Sequence, residues 1–288
     1  MDLGASRTRL ALFSPRGELL RKAVLPTDPL HPLRHLERMA SALRELAGEA
    51  EILAAGVGAP GPLREGRLLT PPNLPGWQGF PLREEGSGRL GLKVALERDS
   101  NAALLGEVWR GRARGEREVL LLTLGTGVGG AVLTRGEILR GRDGMAGELG
   151  HILLEPEGPA CGSGHRGCLE ALISGPGIGR QAGMPPEEVF ARARGGDPQA
   201  RSQVERMARY LGMALASLVH IFNPALILLG GGLSREAPLF LPLAEEEMKS
   251  RVFPSLSREL KIAPAGLGEE AGLYGAALLA LKEAGVGP

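Results

Sequence analysis

The order of predicted secondary-structure elements occurs twice in this chain, and this repeat restricts the fold more than any single motif. The stretch "DLGASRTRLALFSPRGELLRKAVLP" predicts a β-hairpin that turns at residues 15–17, and "REVLLLTLGTGVGGAVLTRGEILRG" predicts a second hairpin that turns at Arg135 and Gly136. In both halves a helix, a buried strand and another helix follow. Each half is therefore expected to form an α/β lobe around a sheet, with glycine loops that face a cleft between the lobes.

We expect the two lobes to meet near residue 108. Residues 1–108 would form a small N-terminal α/β lobe, and residues 109–271 a large C-terminal α/β lobe. The final helix, at about residues 272–288, carries alanine and glycine on its packing face and would complete the small lobe. A chain of 288 residues that is 43% apolar can supply the cores of two such lobes.

The charge balance and the hydropathy pattern argue against two classes of partner. With 34 basic and 33 acidic residues the formal charge is +1, which gives no field that would attract nucleic acid or an anionic membrane. No apolar stretch reaches the roughly eighteen residues of a membrane span, and the N-terminus lacks a signal-peptide pattern. We therefore expect small molecules or copies of the chain itself as partners, and a cytoplasmic location.

The string "GTGVGG" contains a formal G-x-G-x-x-G motif at Gly125, Gly127 and Gly130, but its context argues against a dinucleotide-binding fold. In that fold the third glycine opens a helix, whereas "AVLTRGEIL" predicts a strand, a turn and another strand. A glycine loop bent between two strands can still bind phosphate through its backbone N–H groups.

The string "DLGAS" at residues 2–6 occupies the corresponding place in the first hairpin. A carboxylate, a glycine that allows close approach and a hydroxyl suit hydrated Mg²⁺ and the terminal phosphates of a nucleotide. An ordinary turn uses the same residue types, so the string is informative only together with the second loop. Both loops and the repeated lobes resemble the sugar-kinase, heat-shock and actin ATPase superfamily.

Further motifs, in order along the chain, narrow this resemblance. The strings "GVGAPGPL", "PNLPGW", "RDSNAALLGE", "LGTGVGGAVLTRGEILRGRDGMAGELGH", "CGSGHRGCLE", "NPALILLGGGLS" and "LGEEAGLYGAALLA" resemble the successive motifs of the ROK family of bacterial glucokinase-like sugar kinases. The resemblance implies a two-lobed actin-like ATPase (ribonuclease H-like) fold with a nucleotide and sugar cleft between the lobes, and the cofactors ATP and Mg²⁺.

Asp99 resembles the catalytic aspartate of the family's E-N-D-x-N-A string, which accepts the proton of the sugar hydroxyl. The alternative from sequence alone is an N-cap of the helix predicted to begin near Asn101. For the glutamates of the implied sugar site, the alternative is a solvated surface. The resemblance implies substrate contacts for Gly61, Asn73, Arg98, Asp99, Glu148, His151 and Glu170.

The same resemblance implies a nucleotide site in the glycine loops, with Asp2 holding Mg²⁺. Its implied members are Asp2, Gly4, Ser6, Gly125, Thr126, Gly127, Gly129, Gly230 and Gly231.

A structural zinc site is the third implication. Family kinases with this zinc carry one histidine and three cysteines, and His151, Cys161 and Cys168 match three of these positions. Ser163 occupies the fourth, where a neutral hydroxyl is a poor zinc ligand. Three possibilities stay open: zinc held by three residues and water, zinc with His165 as the fourth ligand, or a site without metal. Bound zinc would orient His151 toward the sugar.

Two positions depart from the family pattern. Arg98 stands where the family has an asparagine that binds sugar hydroxyls, and guanidinium only donates hydrogen bonds whereas an amide also accepts them. Either Arg98 alters the discrimination among hexoses, or it points away and pairs with a glutamate. Only Met1 precedes Asp2, so either the start is late or the first strand is unusually short.

The expected function is the ATP- and Mg²⁺-dependent phosphorylation of a hexose, first of all glucose, at its 6-hydroxyl. The alternatives are a kinase for mannose, fructose or N-acetylmannosamine, and a non-catalytic sugar-binding relative. ROK transcription regulators carry an N-terminal helix-turn-helix domain, for which no segment precedes Asp2. Polyphosphate stays possible as donor, and we expect a homodimer or homotetramer.

Overall fold

The computed structural model describes residues 1–286, and the chain forms two compact units within it. The first unit comprises Met1–Gly115, Ile138–Ala146 and the segment from Gly266 onward. The second comprises Glu116–Glu137 and Gly147–Ala265. The lobe bounds at residues 108 and 271 stay a prediction, and the last two residues of the predicted helix 272–288 lie outside the described part of the chain.

Both halves contain the predicted hairpin, helix, strand and helix in this order, and further helices and strands that the sequence does not predict lie between them. The strands are β1 (Asp2–Leu3), β2 (Arg7–Phe13), β3 (Leu19–Pro26), β4 (Ala55–Ala59), β5 (Leu63–Arg64), β6 (Arg67–Leu68), β7 (Val94–Arg98), β8 (Val119–Leu124), β9 (Val128–Thr134), β10 (Glu137–Ile138), β11 (Leu226–Gly230) and β12 (Lys261–Pro264). The helices are α1 (Pro32–Ala47), α2 (Leu82–Leu90), α3 (Asp99–Arg110), α4 (Leu169–Ile173), α5 (Gly175–Ala182), α6 (Pro186–Arg194), α7 (Pro198–Phe222), α8 (Ala237–Lys249), α9 (Pro254–Ser257) and α10 (Ala271–Glu283). Single 3₁₀ turns lie at Pro75–Trp77, Leu149–His151, Gly232–Glu236 and Gly268–Glu270.

Each unit contains a five-stranded sheet, and the two sheets have the same topology. The strand order is β3-β2-β1-β4-β7 in the first unit and β10-β9-β8-β11-β12 in the second. In both sheets the central strand pairs antiparallel with its hairpin partner on one side and parallel with the next strand on the other. The twofold repeat and the α/β fold class predicted from the sequence are therefore confirmed.

The parallel pairings decide which loops share a sheet edge, because parallel strands end on the same side. In the first sheet β1, β4 and β7 run parallel, so the turn at Gly4, the loop at Gly61 and the start of α3 all follow carboxyl ends. In the second sheet β8 and β11 run parallel, and Gly230 pairs with Thr123. Both predicted glycine loops of that unit therefore leave one edge.

Helices α3 and α10 of the first unit pack closely through small residues. A Cβ atom at Gly275 would lie 1.7 Å from the carbonyl oxygen of Ala102, and one at Gly56 would lie 1.8 Å from that of Ala276. Any side chain at these positions would force the backbones apart. The alanine and glycine face predicted for the final helix is thus the face that packs against α3 and β4.

A buried carboxylate connects the end of α3 to the loop that precedes α10. Glu107 is fully buried, and its Oε2 accepts hydrogen bonds from the backbone N–H groups of Arg112 at 2.8 Å and Gly266 at 3.0 Å. Its Oε1 accepts from the N–H of Leu267 at 2.7 Å. Three charge-assisted bonds satisfy this carboxylate inside the protein and fix the loop that leads into α10.

The described helices include none that could cross a bilayer, since none combines sufficient length with a sufficiently apolar stretch.

Candidate functional site

Asp99 lies at the carboxyl end of β7, as the first residue of α3. The helix begins at Asp99 rather than near Asn101, and its N-cap residue is Arg98, so the alternative role of Asp99 as N-cap is wrong. Its Oδ1 accepts hydrogen bonds from Ser100 N at 2.6 Å and from Ser100 Oγ at 3.1 Å. Burial, together with the negative charge of Asp2, raises the pKa of Asp99 to about 6.

Asp2, in β1, is the second carboxylate at this edge. Its side chain is 15% exposed, and its Oδ2 lies 3.3 Å from Nη1 of Arg9. Burial raises the pKa of Asp2, although the charge of Arg9 acts in the opposite direction. Two half-buried carboxylates with raised pKa values, one beside the other, suit the transfer of a proton or the binding of a hydrated cation.

Arg98 is nearly fully buried, with 3% of its surface exposed. Its Nη1 donates to the carbonyl oxygen of Ala146 at 2.7 Å, and its backbone N–H donates to Oε1 of Glu97 at 3.0 Å. Arg140 holds the other oxygen of Glu97, with Nε at 2.9 Å and Nη2 at 2.7 Å. These bonds tie the end of β7, and with it the start of α3, to the segment Ile138–Ala146.

The loops at Gly61 and Asn73 lie against each other in the first unit. Gly61 has a φ of +79°, and a Cβ atom there would lie 2.9 Å from Cα of Pro71. Asn73, two residues after Pro71, is exposed and has a φ of 61°. The buried side chains of Leu74 and Trp77 anchor this loop beneath the exposed Asn73.

The turn at Gly4 and Ser6 connects β1 with β2. The N–H of Gly4 donates to the carbonyl oxygen of Arg7 at 3.0 Å, which closes the turn, and Ser6 is exposed. Thr27 binds this turn twice, through its hydroxyl to the carbonyl oxygen of Gly4 at 2.8 Å and through its N–H to that of Ser6 at 3.1 Å.

The second unit brings its two glycine loops together. The loop 125–127 joins β8 and β9, with exposed Thr126 at its tip, and Gly129 lies in β9 itself. Gly230 ends β11, and Gly231 has a φ of +80°. A Cβ atom at Gly231 would lie 2.3 Å from the carbonyl oxygen of Leu124. Only glycine allows the second loop to approach the first this closely.

Three predicted sugar contacts of the second unit form one continuous group. Nε2 of His151 lies 4.0 Å from Oε2 of Glu148, and Nδ1 of His151 lies 3.8 Å from Sγ of Cys161. The thiol of Cys161 donates to Oε1 of Glu170 at 3.2 Å. Oε2 of Glu170 accepts from the N–H of Val128 at 3.0 Å, so this carboxylate joins the cysteine loop to the glycine loop.

The side chains of His151, Cys161 and Cys168 form a cluster whose ligand atoms all lie within 4.8 Å of one another. Zinc bonds of about 2.0–2.3 Å place tetrahedral ligand atoms roughly 3.3–3.8 Å apart, so these donors fit three of the four positions with a small contraction. His165 is outside this cluster, and its Nδ1 lies 3.1 Å from Oγ of Ser163. Burial raises the pKa of Cys168 to about 11, so without a metal ion this thiol stays protonated and poorly reactive.

A buried group of polar side chains beneath the first turn was not predicted from the sequence. Thr8 and His35 have no exposed surface, and they bind each other and Thr27 through side-chain hydrogen bonds. One signal was present: the alternation of β2 places Thr8 on the same inward face as Leu10, where an apolar residue is expected.

Comparisons with known proteins agree with this arrangement. The profile of the ROK family matches residues 1–283. The glucokinase of Thermotoga maritima is 36% identical over 306 residues, covering 98% of this chain and 96% of the relative. A ROK family glucokinase from Streptomyces griseus, solved with glucose and AMPPNP, superposes with a TM-score of 0.84 at 31% identity and covers 98% of both chains. The ROK hexokinase from Thermus thermophilus gives 0.82 at 40% identity, covering 99% of this chain and 98% of the other.

Proposed function

The chain belongs to the ROK family and is a sugar kinase, and we propose that it transfers the γ-phosphoryl group of Mg·ATP to the 6-hydroxyl of glucose. The observation that carries the proposal is Asp99, a half-buried carboxylate at the end of a strand whose pKa is raised to about 6. Such a carboxylate is ionised at neutral pH and is a stronger base than an exposed aspartate. Relatives named as glucokinases, similar over nearly the full chain, support glucose as the substrate.

Asp99 would accept the proton of the 6-hydroxyl while that oxygen bonds to the γ-phosphorus and ADP leaves. The two hydrogen bonds that Ser100 donates to Oδ1 fix the rotamer of Asp99. They leave the carboxylate able to face the sugar. Asp2 is the residue that we propose to bind the hydrated Mg²⁺ of the nucleotide. When bound, this cation neutralises charge on the phosphates.

Sugar hydroxyls both donate and accept hydrogen bonds, so their contacts should include carboxylates, amides and imidazole. We propose Gly61, Asn73, Glu148, His151 and Glu170 for this role. The contact of His151 with Glu148 and the hydrogen bond from the N–H of Val128 to Glu170 support it, because they orient these side chains. Arg98 stays a predicted substrate contact, now with a second role in holding Ala146.

The nucleotide is proposed to bind at the glycine loops and the first turn. The proposed residues are Gly4, Ser6, Gly125, Thr126, Gly127, Gly129, Gly230 and Gly231. All except Gly129, which lies in β9, are at or follow carboxyl ends of parallel strands, the usual place for ligands in open α/β sheets.

We further propose that His151, Cys161 and Cys168 hold a structural zinc ion. The mutual spacing of their ligand atoms supports this assignment, and water is the fourth ligand that we propose because His165 is not in the cluster. When bound, zinc would fix the orientation of His151. The cytoplasmic location and a homodimeric or homotetrameric state stay predictions.

The test of the proposed function is a substrate panel with product identification. Purified protein is incubated with Mg·ATP and, separately, glucose, mannose, fructose, N-acetylglucosamine or N-acetylmannosamine, and ³¹P NMR identifies the phosphorylated position. We expect the highest kcat/KM with glucose and phosphate on its 6-oxygen. A higher kcat/KM with another sugar would reassign the substrate, and sugar binding without ADP formation on any sugar would show a non-catalytic sugar-binding protein.

A matched pair of variants shows that the measured activity belongs to this protein. Asp99→Asn removes the proposed base, whereas Asp143→Asn makes the same change at an exposed aspartate of the first unit. The first should have a kcat lower by about 10²–10⁴-fold, and the second should equal the wild type. Equal activity in both variants would contradict the role of Asp99.

A further inference from the structure

We infer that Thr8, Thr27 and His35 are positioning residues that set the orientation of the phosphate-binding turn at residues 4–6, an inference that rests on the proposed function. None of the three belongs to the motifs that point to a kinase. All belong to the first unit: Thr8 to β2, His35 to α1, and Thr27 to the segment that follows β3.

Their hydrogen bonds can run in only one direction. The carbonyl oxygen of Gly4 only accepts, so the hydroxyl of Thr27 must donate to it, at 2.8 Å. Thr27 has a single hydroxyl proton, and Oγ of Thr8 must therefore donate to Oγ of Thr27, at 2.9 Å. The proton of Thr8 is then also used, so Nε2–H of His35 must donate to Thr8, at 2.7 Å.

The contacts of His35 at the other end of this series of hydrogen bonds independently indicate the same direction for the bonds. The backbone N–H of Asp28 donates to Nδ1 of His35 at 3.4 Å, so Nδ1 carries no proton and Nε2 does. Burial and the positive charge of Arg38 lower the pKa of His35 to about 4, which keeps the ring neutral in this tautomer at pH 7. Trp77 fixes the ring from the side, with an edge-to-face contact at 5.7 Å and an Nε1 bond to the carbonyl oxygen of Asp28 at 2.9 Å.

The chain of bonds ends on a peptide whose orientation matters for anion binding. In a planar trans peptide the carbonyl oxygen of Gly4 and the N–H of Ala5 point in opposite directions. With the carbonyl of Gly4 held by Thr27, the N–H of Ala5 points to the opposite side of the turn. The N–H of Thr27 fixes the carbonyl of Ser6 as well, at 3.1 Å. Thr27 therefore orients two peptides of the turn, and backbone N–H groups oriented in this way form an anion-binding concavity.

Core packing alone would not require these hydroxyls. Valine has nearly the shape of threonine and could fill the inward position of Thr8 on β2 without burying a polar group. Thr8 and His35 are fully buried, and every proton of this series of hydrogen bonds is assigned, so the series is better explained by the turn at its end.

The test is the affinity for Mg·AMPPNP in Thr8→Val and Thr27→Val, measured by calorimetry, together with KM for Mg·ATP and for glucose. In each variant we expect Kd for Mg·AMPPNP and KM for Mg·ATP to rise about tenfold, which corresponds to about 1.4 kcal/mol. KM for glucose should stay within about twofold, because the turn orients phosphate rather than sugar. Thr8→Ser keeps the hydroxyl and should restore the wild-type values.

The control is Ser217→Ala, which removes a half-buried hydroxyl that donates to the carbonyl oxygen of Met213 in the second unit. It should leave both KM values unchanged. The double variant Thr8→Val/Thr27→Val should bind the nucleotide no more weakly than the weaker single variant. Both substitutions interrupt the same series of hydrogen bonds, so their effects should not add. Thr27 is only half-buried, so its variant carries the test if Thr8→Val does not fold.

An unchanged Kd for Mg·AMPPNP in both valine variants, with a lowered Tm, would overturn the inference. It would show that the three side chains contribute only to the stability of the core. This result is distinct from failure of the proposed function. If the wild type binds Mg·AMPPNP but phosphorylates no sugar, the proposed function fails while the binding measurement still decides the inference.

Discussion

Replacing Asp99 with asparagine should stabilise the fold while it removes turnover. The pKa of Asp99 is raised from 3.8 to about 6 in the folded protein, so above pH 6 the folded state holds an ionised carboxylate that the surroundings disfavour. A shift of about two units corresponds to at most about 3 kcal/mol, and solvent access to the carboxylate reduces this to about 1–3 kcal/mol. Asparagine keeps Oδ1 as the acceptor for both bonds from Ser100.

The sign of the pH dependence follows from the same shift. Between pH 3.8 and about 6 the folded state binds more protons at Asp99 than the unfolded state, so this group destabilises the wild type increasingly as pH rises through that range. The asparagine variant lacks this penalty. Its advantage should be full at pH 7.5, smaller at pH 5 and absent near pH 3.8.

The assay is thermal unfolding of the ligand-free protein at pH 7.5 and pH 5. At roughly 2–4 °C for each kcal/mol, the variant should unfold several degrees above the wild type at pH 7.5. Asp143→Asn, at an exposed site, should change Tm by less than about 1 °C. A variant that is no more stable than the wild type at pH 7.5, or whose gain is equal at both pH values, would refute the reasoning.

Three other predictions concern the proposed base, the loop that Glu107 holds before α10, and the proposed metal site. Because the proposed base is Asp99, kcat/KM for glucose at saturating Mg²⁺ should fall about tenfold per pH unit below about pH 6, and a profile that is flat to pH 5 contradicts this. Glu107→Gln should lower the free energy of unfolding by about 3 kcal/mol in urea denaturation, because an amide NH₂ inside the protein replaces a carboxylate oxygen that accepts hydrogen bonds from backbone N–H groups. Glu49→Gln, at an exposed site, is its control, and an equal effect of both changes would exclude the mechanism. Protein purified without chelator or added metal should contain about one zinc per chain by elemental analysis and lose it in Cys168→Ser, whereas less than about a tenth of an equivalent in the wild type would disprove the zinc site.

The repeated fold was predictable because its signals are local. Hairpin turns at residues 15–17 and at Arg135 and Gly136, strand alternation and helical periodicity all act within a few residues. The glycine and alanine face of α10 was readable for the same reason. The rejection of a dinucleotide-binding fold also depended on local context, and Gly130 indeed lies in β9 rather than at the start of a helix.

What the sequence did not reveal depends on partners far apart in the chain. Helical periodicity places Leu33 on the core face of α1, but Leu33 is 44% exposed and His35 is fully buried instead. His35 is stable there because Thr8, 27 positions away, binds its ring. The segment Ile138–Ala146 joins the first unit through Arg98 and Arg140, and no local pattern predicts such contacts.

The most direct test of the proposed reaction is the rate of glucose 6-phosphate formation by the wild type and by Asp99→Asn at saturating Mg·ATP and glucose, with the Kd for glucose measured on both proteins. Loss of a general base costs about 10²–10⁴-fold in rate, so kcat should fall by this factor while Kd stays within about threefold. A kcat for Asp99→Asn within about tenfold of the wild type would show that Asp99 is not the base.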